Sequence, residues 1–380
     1  GNPSAASNSA DNTVALDTTA PSVTIEQAAA QADPANAGPI LFEVTFSEPV
    51  TGFTDMDVVL SGTAGATTAV VSGSGASYSV AVSGMTGDGT VIASITAAAA
   101  SDAAGNASAA STSSDNSVTY DATVPTVTIE QAAAQADPAN AGPILFTVEF
   151  SEPVTGFDDT DVALSGTAGA TTAVVSGSGA SYSVAVSGMT SDGTVIASIT
   201  AAAASDTAGN PSAASTSADN SVTFDASGPL VTINQGASQA DPASVGPILF
   251  TVKFSEPVTG FATGDVSLGG TAGATTAIVT EVAPNDGTTF AVAVSGMTGD
   301  GTVTASLAAG VASDLGGNGS LVSSSTDNSV IYDATAPGVT IEQAAAQADP
   351  ANVGPLSFVV AFSEPVAGFA TDDVSLGGTA

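Results

Sequence analysis

A chain of 380 residues with 37 acidic side chains, a single basic one (Lys253) and no His or Cys carries a formal net charge of −36. Nucleic acid and anionic membrane surfaces are excluded as partners, because both are bound through Lys and Arg. Ser-His, Cys-His and Schiff-base chemistry lack their residues, and with no Trp and 5% aromatics there is no platform for a sugar, so the chain reads as not an enzyme.

The chain repeats itself. Pro21, Pro125, Pro229 and Pro337 open successive copies at intervals of 104, 104 and 108 residues, the length of one seven-stranded sandwich. This sets the expected boundaries: the last strand of a preceding repeat at 1–16, full repeats at 17–120, 121–224 and 225–332, and the first part of a further repeat at 333–380. The window thus begins and ends inside a repeat.

In chain order, the first full repeat predicts strands at 22–26, 40–46, 58–62, 67–71, 77–82, 90–96 and 116–121, separated by Gly, Asp and Asn clusters, with no sustained helical period. The copies show which face of each strand is buried. Phe42, Val44 and Phe46 stay apolar as Phe146, Val148 and Phe150, then Phe250, Val252 and Phe254, then Phe358, Val360 and Phe362, while Glu43 and Thr45 between them drift. That is a strand with a fixed inner and a tolerant outer face. The AAAQA and TAAAA stretches are too short to nucleate a helix and read as loop or a single turn. Four extra residues in the third repeat fall near Pro284, Asn285, Asp286 and Gly287, a lengthened hairpin. Tyr78, Tyr182 and Phe290 share one position and read as core, so the hydroxyl is not needed there. Met85, Met189 and Met297, and Phe53 with Phe157, Phe261 and Phe369, read as plugs at the ends of the sandwich.

Seven alternating strands put their connections at two poles. Loop 2–3 carries Glu48 and Asp57, repeated as Glu152 and Asp161, Glu256 and Asp265, Glu364 and Asp373; loop 6–7 carries Asp102 and Asn106, repeated as Asp206 and Asn210, Asp314 and Asn318. Strand parity places both loops at the pole facing the preceding repeat, where the linker brings Asp17, Asp121, Asp225 and Asp333. Carboxylates gathered there repel one another unless a cation sits among them. With only oxygen donors to offer, the set suits Ca²⁺, whereas Zn²⁺ would want His or Cys. The alternative for these residues is plain turn chemistry, in which Asp and Asn cap their own backbone. Asp115 reads equally as turn residue or ligand. For Asp33 of the ADP motif and Asp88 of MTGDG, with their copies, turn chemistry is the preferred reading.

Three segments together, the linker DTTAPSVTIEQ and the loops FSEPVTGF and SDAAGN, resemble the bacterial immunoglobulin-like repeats of very large surface adhesins and other secreted bacterial proteins. The resemblance implies an all-β tandem array of immunoglobulin-like β-sandwich domains in an extended rod. It also implies an extracellular or cell-surface location and a spacer or stalk role in adhesion, often stiffened by calcium at the linkers. The Cys pair and Trp of antibody domains are missing, so only the architecture carries over. Neighbouring repeats of the same chain are the expected partners. The alternative is a self-assembling filament or matrix in which other copies make lateral contacts. Direct insertion of this segment into a membrane is not expected, since no 18-residue apolar run appears.

Overall fold

The computed structural model describes residues 3–6 and 10–379 and divides into two compact units, Gly1–Asp225 and Ala226–Ala380. Of the strand expected at 1–16, residues 1, 2 and 7–9 lie outside the described residues, and residues 10–16 form no strand.

The first repeat consists of β1 (Val23–Gln27), β2 (Ile40–Val50), β3 (Val58–Ser61), β4 (Thr68–Ser83), β5 (Gly89–Ile95) and β6 (Ser117–Tyr120). One antiparallel sheet has the order β1-β2-β4 and the other β3-β5-β6. β4 is two strands in one. The Ser72 and Ser79 hydroxyls lie 2.8 Å apart, whereas seven residues of extended chain span about 23 Å. The chain therefore doubles back at Gly73, whose φ of +124° no side chain tolerates readily. A Cβ there would stand 2.5 Å from the Ser77 carbonyl. Counting both arms, the strand order matches the immunoglobulin constant-type sandwich, four strands against three.

The second repeat reproduces this as β7 (Val127–Gln131), β8 (Ile144–Val154), β9 (Val162–Ser165), β10 (Thr172–Ser187), β11 (Gly193–Ile199) and β12 (Ser221–Phe224). In the second unit the longer hairpin resolves into separate arms: β13 (Val231–Gln235), β14 (Ile248–Phe254), β15 (Val266–Gly269), β16 (Thr276–Glu281), β17 (Thr289–Ser295), β18 (Gly301–Leu307) and β19 (Ser329–Tyr332). Its sheets run β13-β14-β17-β16 and β15-β18-β19. Residues 333–379 contribute only β20 (Val339–Gln343) and β21 (Phe358–Phe362). Residues 374–379 form no strand, and Phe358 is 54% exposed because no sheet opposes this pair among the described residues.

The cores sit where the recurring apolar set predicts. Phe42, Val44 and Phe46 are at most 2% exposed, and their copies in the next two repeats are buried too. Phe53, Phe46 and Tyr78 meet edge-on with ring centroids 5.2–5.8 Å apart, closing one end of the sandwich. Met85 packs at the other end, beside Gly38.

The second strand ends later than expected. β2 and β8 run on through Pro49 and Pro153 to Val50 and Val154 instead of stopping at the second Phe. The extension contains a bulge, since the pairing with β4 jumps between Thr45 and Val50. Proline donates no ladder bond and is accommodated where a strand bulges. Glu48 lies inside that bulge.

Candidate metal centre

Two local devices carry Glu48 to Asp102. The bulge turns Glu48 out of the ladder, and beyond it Thr51 exchanges backbone bonds with Ser101, N–H to O at 2.8 and 3.0 Å. Asp102 follows Ser101 directly and is only 6% exposed. Its Oδ1 accepts from the Ala104 and Asn106 amides, both at 2.8 Å, and its Oδ2 accepts from Asn106 Nδ2 at 2.8 Å. Asn106 Nδ2 also donates to the Asp17 carbonyl at 3.1 Å, binding the linker to loop 6–7. Asp17 in turn accepts the Thr19 amide on Oδ1, a turn of its own.

The outcome is a triad. Asp17, Glu48 and Asp102 each offer a carboxylate oxygen within 4.8 Å of the others, and Asp121, Glu152 and Asp206 repeat the arrangement one domain on. In that second copy Thr155 and Ser205 bond at 2.8 and 2.9 Å, and Asn210 Nδ2 reaches both the Asp121 carbonyl at 2.8 Å and Asp206 Oδ2 at 2.9 Å. In the second unit Thr259 and Ser313 make the same exchange, and buried Asp314 accepts from the Asn318 amide at 2.8 Å and Nδ2 at 3.0 Å. Glu256 keeps its sequence position two residues after Phe254, and Asp225 ends the first unit directly after β12. Asp333 and Glu364 line one shallow hollow.

The electrostatics match the crowding. Burial, then the Asp17 and Asp102 charges, push the Glu48 carboxyl above its ordinary value. Burial, then Asp121, Asp206 and Asp88, do the same to Glu152. Asp102 moves the other way, held down chiefly by the Asn106 side-chain bond. One member of the first triad is thus biased toward its ionised form and its neighbour toward the protonated one. A hard cation relieves this: the group is all oxygen, and each carboxylate has lone pairs left beyond its hydrogen bonds. The two triads can hold a metal ion.

Asp57 does not join them. Its Oδ2 accepts from the Thr54 amide and hydroxyl, both at 2.8 Å, capping the short 3₁₀ turn Asp55–Asp57. Asp161, Asp265 and Asp373 cap the turns that follow Asp158, Ala262 and Ala370 in the same way. Asp33 accepts from the Thr119 amide at 2.9 Å, and Asp137 and Asp241 from Thr223 and Ile331, fastening loop 1–2 to the last strand. Asp115 contributes its backbone amide, which donates to Glu26 at 2.6 Å.

Glu26 is a structural clamp that sequence reasoning missed. Its carboxylate gathers the Ser114 amide at 3.0 Å, the Asp115 amide and the Ser113 and Ser114 hydroxyls, which hold its pKa down. Glu130 does this for the second repeat and Asn234 for the third. The only sequence signal was an acid or amide recurring at the end of the first strand.

Residues 17–120 match the profile of the bacterial Ig-like domain. No curated protein matches the chain in sequence. Among solved structures, those of surface layer protein SbsC, domains 1–6, and of the S-layer protein rSbsC(31–844) are each 14% identical to it, at a TM-score of 0.19. The matches cover 91% of this chain and 63% of each of those chains, so it spans less than two thirds of their length.

Proposed function

Since residues 17–120 are a bacterial immunoglobulin-like domain, with the same sandwich repeated at 121–224 and 225–332, we propose that the chain is a non-catalytic spacer. It belongs to a bacterial surface protein, the stalk of an adhesin, and its junctions are stiffened by Ca²⁺. The observation carrying the reading is the recurrence of Asp17–Glu48–Asp102 as Asp121–Glu152–Asp206. Each triad joins a linker carboxylate to two loops of the domain the linker enters. An ion bound there replaces mutual repulsion by attraction to a common centre, and fixes the linker to that domain. Reach then grows with the number of repeats.

A spacer fits better than a filament assembled by strand addition, because three of the four sheet edges of the first repeat are covered in part. The Val71 amide, on the outer arm of β4, donates to Asp55 Oδ1 at 2.6 Å. β1 is flanked by residue 112 and β6 by Ala35.

Calorimetric titration of the chelator-treated chain with Ca²⁺ tests the cation. Heat of binding together with a raised melting temperature is expected. A flat titration with an unchanged melt would sink the calcium reading and leave the spacer fold standing.

A further inference from the structure

The linker between the first two repeats is also held from the other side. Asp88 stands just before β5, in the loop facing the following repeat. Its Oδ1 accepts the Ala122 amide at 2.8 Å and its Oδ2 accepts the Thr123 hydroxyl. In the second unit, Asp300 accepts the Ala334 amide at 2.8 Å and the Thr335 hydroxyl. Each pair joins residues 34 and 35 positions apart, across a domain boundary. Charge-assisted bonds of this kind are about twice as strong as neutral ones. They also hold the Asp88 and Asp300 carboxyls below their ordinary value, the hydroxyl bond first.

We infer that Asp88 and Asp300 are interdomain latches: each carboxylate clamps the first two residues after the linker Asp and so fixes the next repeat's linker with or without a cation. The anchor is stiff. Gly89, next in sequence, has φ +148°, and a Cβ there would lie 2.2 Å from the Thr63 hydroxyl, so only glycine lets this loop seat against the sheet. The residue types recur along the chain: Asp88, Asp192 and Asp300 in the loops, and a hydroxyl residue at Thr19, Thr123, Ser227 and Thr335 in the linkers. Asp121 sits two residues before Thr123 and shares a hollow with Asp88 and Glu152. Asp88 is therefore a positioning residue for Asp121. The preceding repeat holds the linker carboxylate at the acidic pole of the next one, against the repulsion there.

The chain lacks Cys, so Met56→Cys and Thr160→Cys in the full chain give a unique spin-label pair, one on each of the first two repeats, at exposed positions. Pulsed-EPR distances are read in chelator. A single narrow distribution is expected for the otherwise native chain. It broadens on Thr123→Val, broadens at least as much on Asp88→Ala, which removes both bonds, is no broader in the double variant than in Asp88→Ala alone, and stays narrow with Thr123→Ser. Retention of the narrow distribution in either single variant would overturn the latch, as would additive broadening in the double variant or failure of Thr123→Ser to retain it. Because every arm is free of cation, an absent response to added Ca²⁺ would count against the calcium reading alone.

Discussion

Thr51 and Ser101 exchange both of their backbone hydrogen bonds, and that one bridge sets Glu48 beside Asp102. The positions lie 50 residues apart and in different loops, yet the geometry recurs at Thr155 and Ser205, and at Thr259 and Ser313. Carboxylate proximity is therefore imposed by the backbone and does not depend on what the side chains prefer.

A pH dependence of unusual sign follows. Glu48 and Glu152 have pKa values raised in the folded chain, so folding favours their protonated forms. Their penalty is complete above the raised value and disappears as pH falls through it. Asp102 and Asp88 are shifted down, so the stability they give is present above the ordinary carboxylate value and is lost as pH falls below it. In chelator, the melting temperature should rise as pH drops from neutral into the upper carboxylate range, then fall at lower pH. With millimolar Ca²⁺ the first rise should vanish. Glu152→Gln in chelator should melt higher than the native chain at neutral pH, measured by circular dichroism.

Glu26 and Asn234 do the same work with different chemistry, which makes a substitution readable in advance. Glu26→Asn should be tolerated, because Asn234 Oδ1 already accepts the Thr326 amide at 3.0 Å and the Asp327 amide at 3.1 Å. Glu26→Ala should free the segment before β6, with faster amide exchange at Ser114 and Asp115 in hydrogen-exchange mass spectrometry. Equal exchange in the two variants would contradict this role.

Much of this was legible in the sequence, and the exceptions share a cause. Phe42, Val44 and Phe46 were readable as core because burial on a strand has a period of two and the copies held those positions while Glu43 and Thr45 drifted. Strand parity was enough to put Asp17, Glu48 and Asp102 at one pole. It could not separate Asp57 from them, because Asp57 is consumed three residues away by the Thr54 cap, a local competitor. Glu26 and Asp88 stayed hidden for the opposite reason: their partners lie 87–89 and 34–35 residues off, beyond any local pattern.

Asp55 is an edge guard. Its carboxylate occupies the Val71 amide at 2.6 Å, Asp159 occupies that of Val175 at 2.6 Å, and Thr263 reaches the Val279 amide only at 3.2 Å. An unpaired edge amide is an invitation to another strand. Asp55→Ala should accelerate exchange at Val71, and in high salt, where the net charge is screened, it should give a rise in light scattering that the native chain lacks. Unchanged exchange at Val71 would remove this role for Asp55.

At the aromatic end of the sandwich the competing terms can be ranked. The Tyr182 hydroxyl donates to the Val154 carbonyl at 3.3 Å, a long bond whose removal should cost about 0.5–1.5 kcal/mol at most. Phe157 is 8% exposed and packs edge-on against both Phe150 and Tyr182, with centroids 5.4 and 5.1 Å away. Emptying that site should cost about 3–5 kcal/mol. Packing therefore outweighs the hydroxyl, which is why the third repeat keeps the same aromatic triangle with Phe290 and no hydroxyl at all. Tyr182→Phe should leave the thermal transition of the second repeat nearly in place, and Phe157→Ala should lower it sharply, while the transitions of the other repeats stay put. If Tyr182→Phe proved the more damaging of the two in a melt, the hydrogen bond would be the stronger element and the ranking would be reversed.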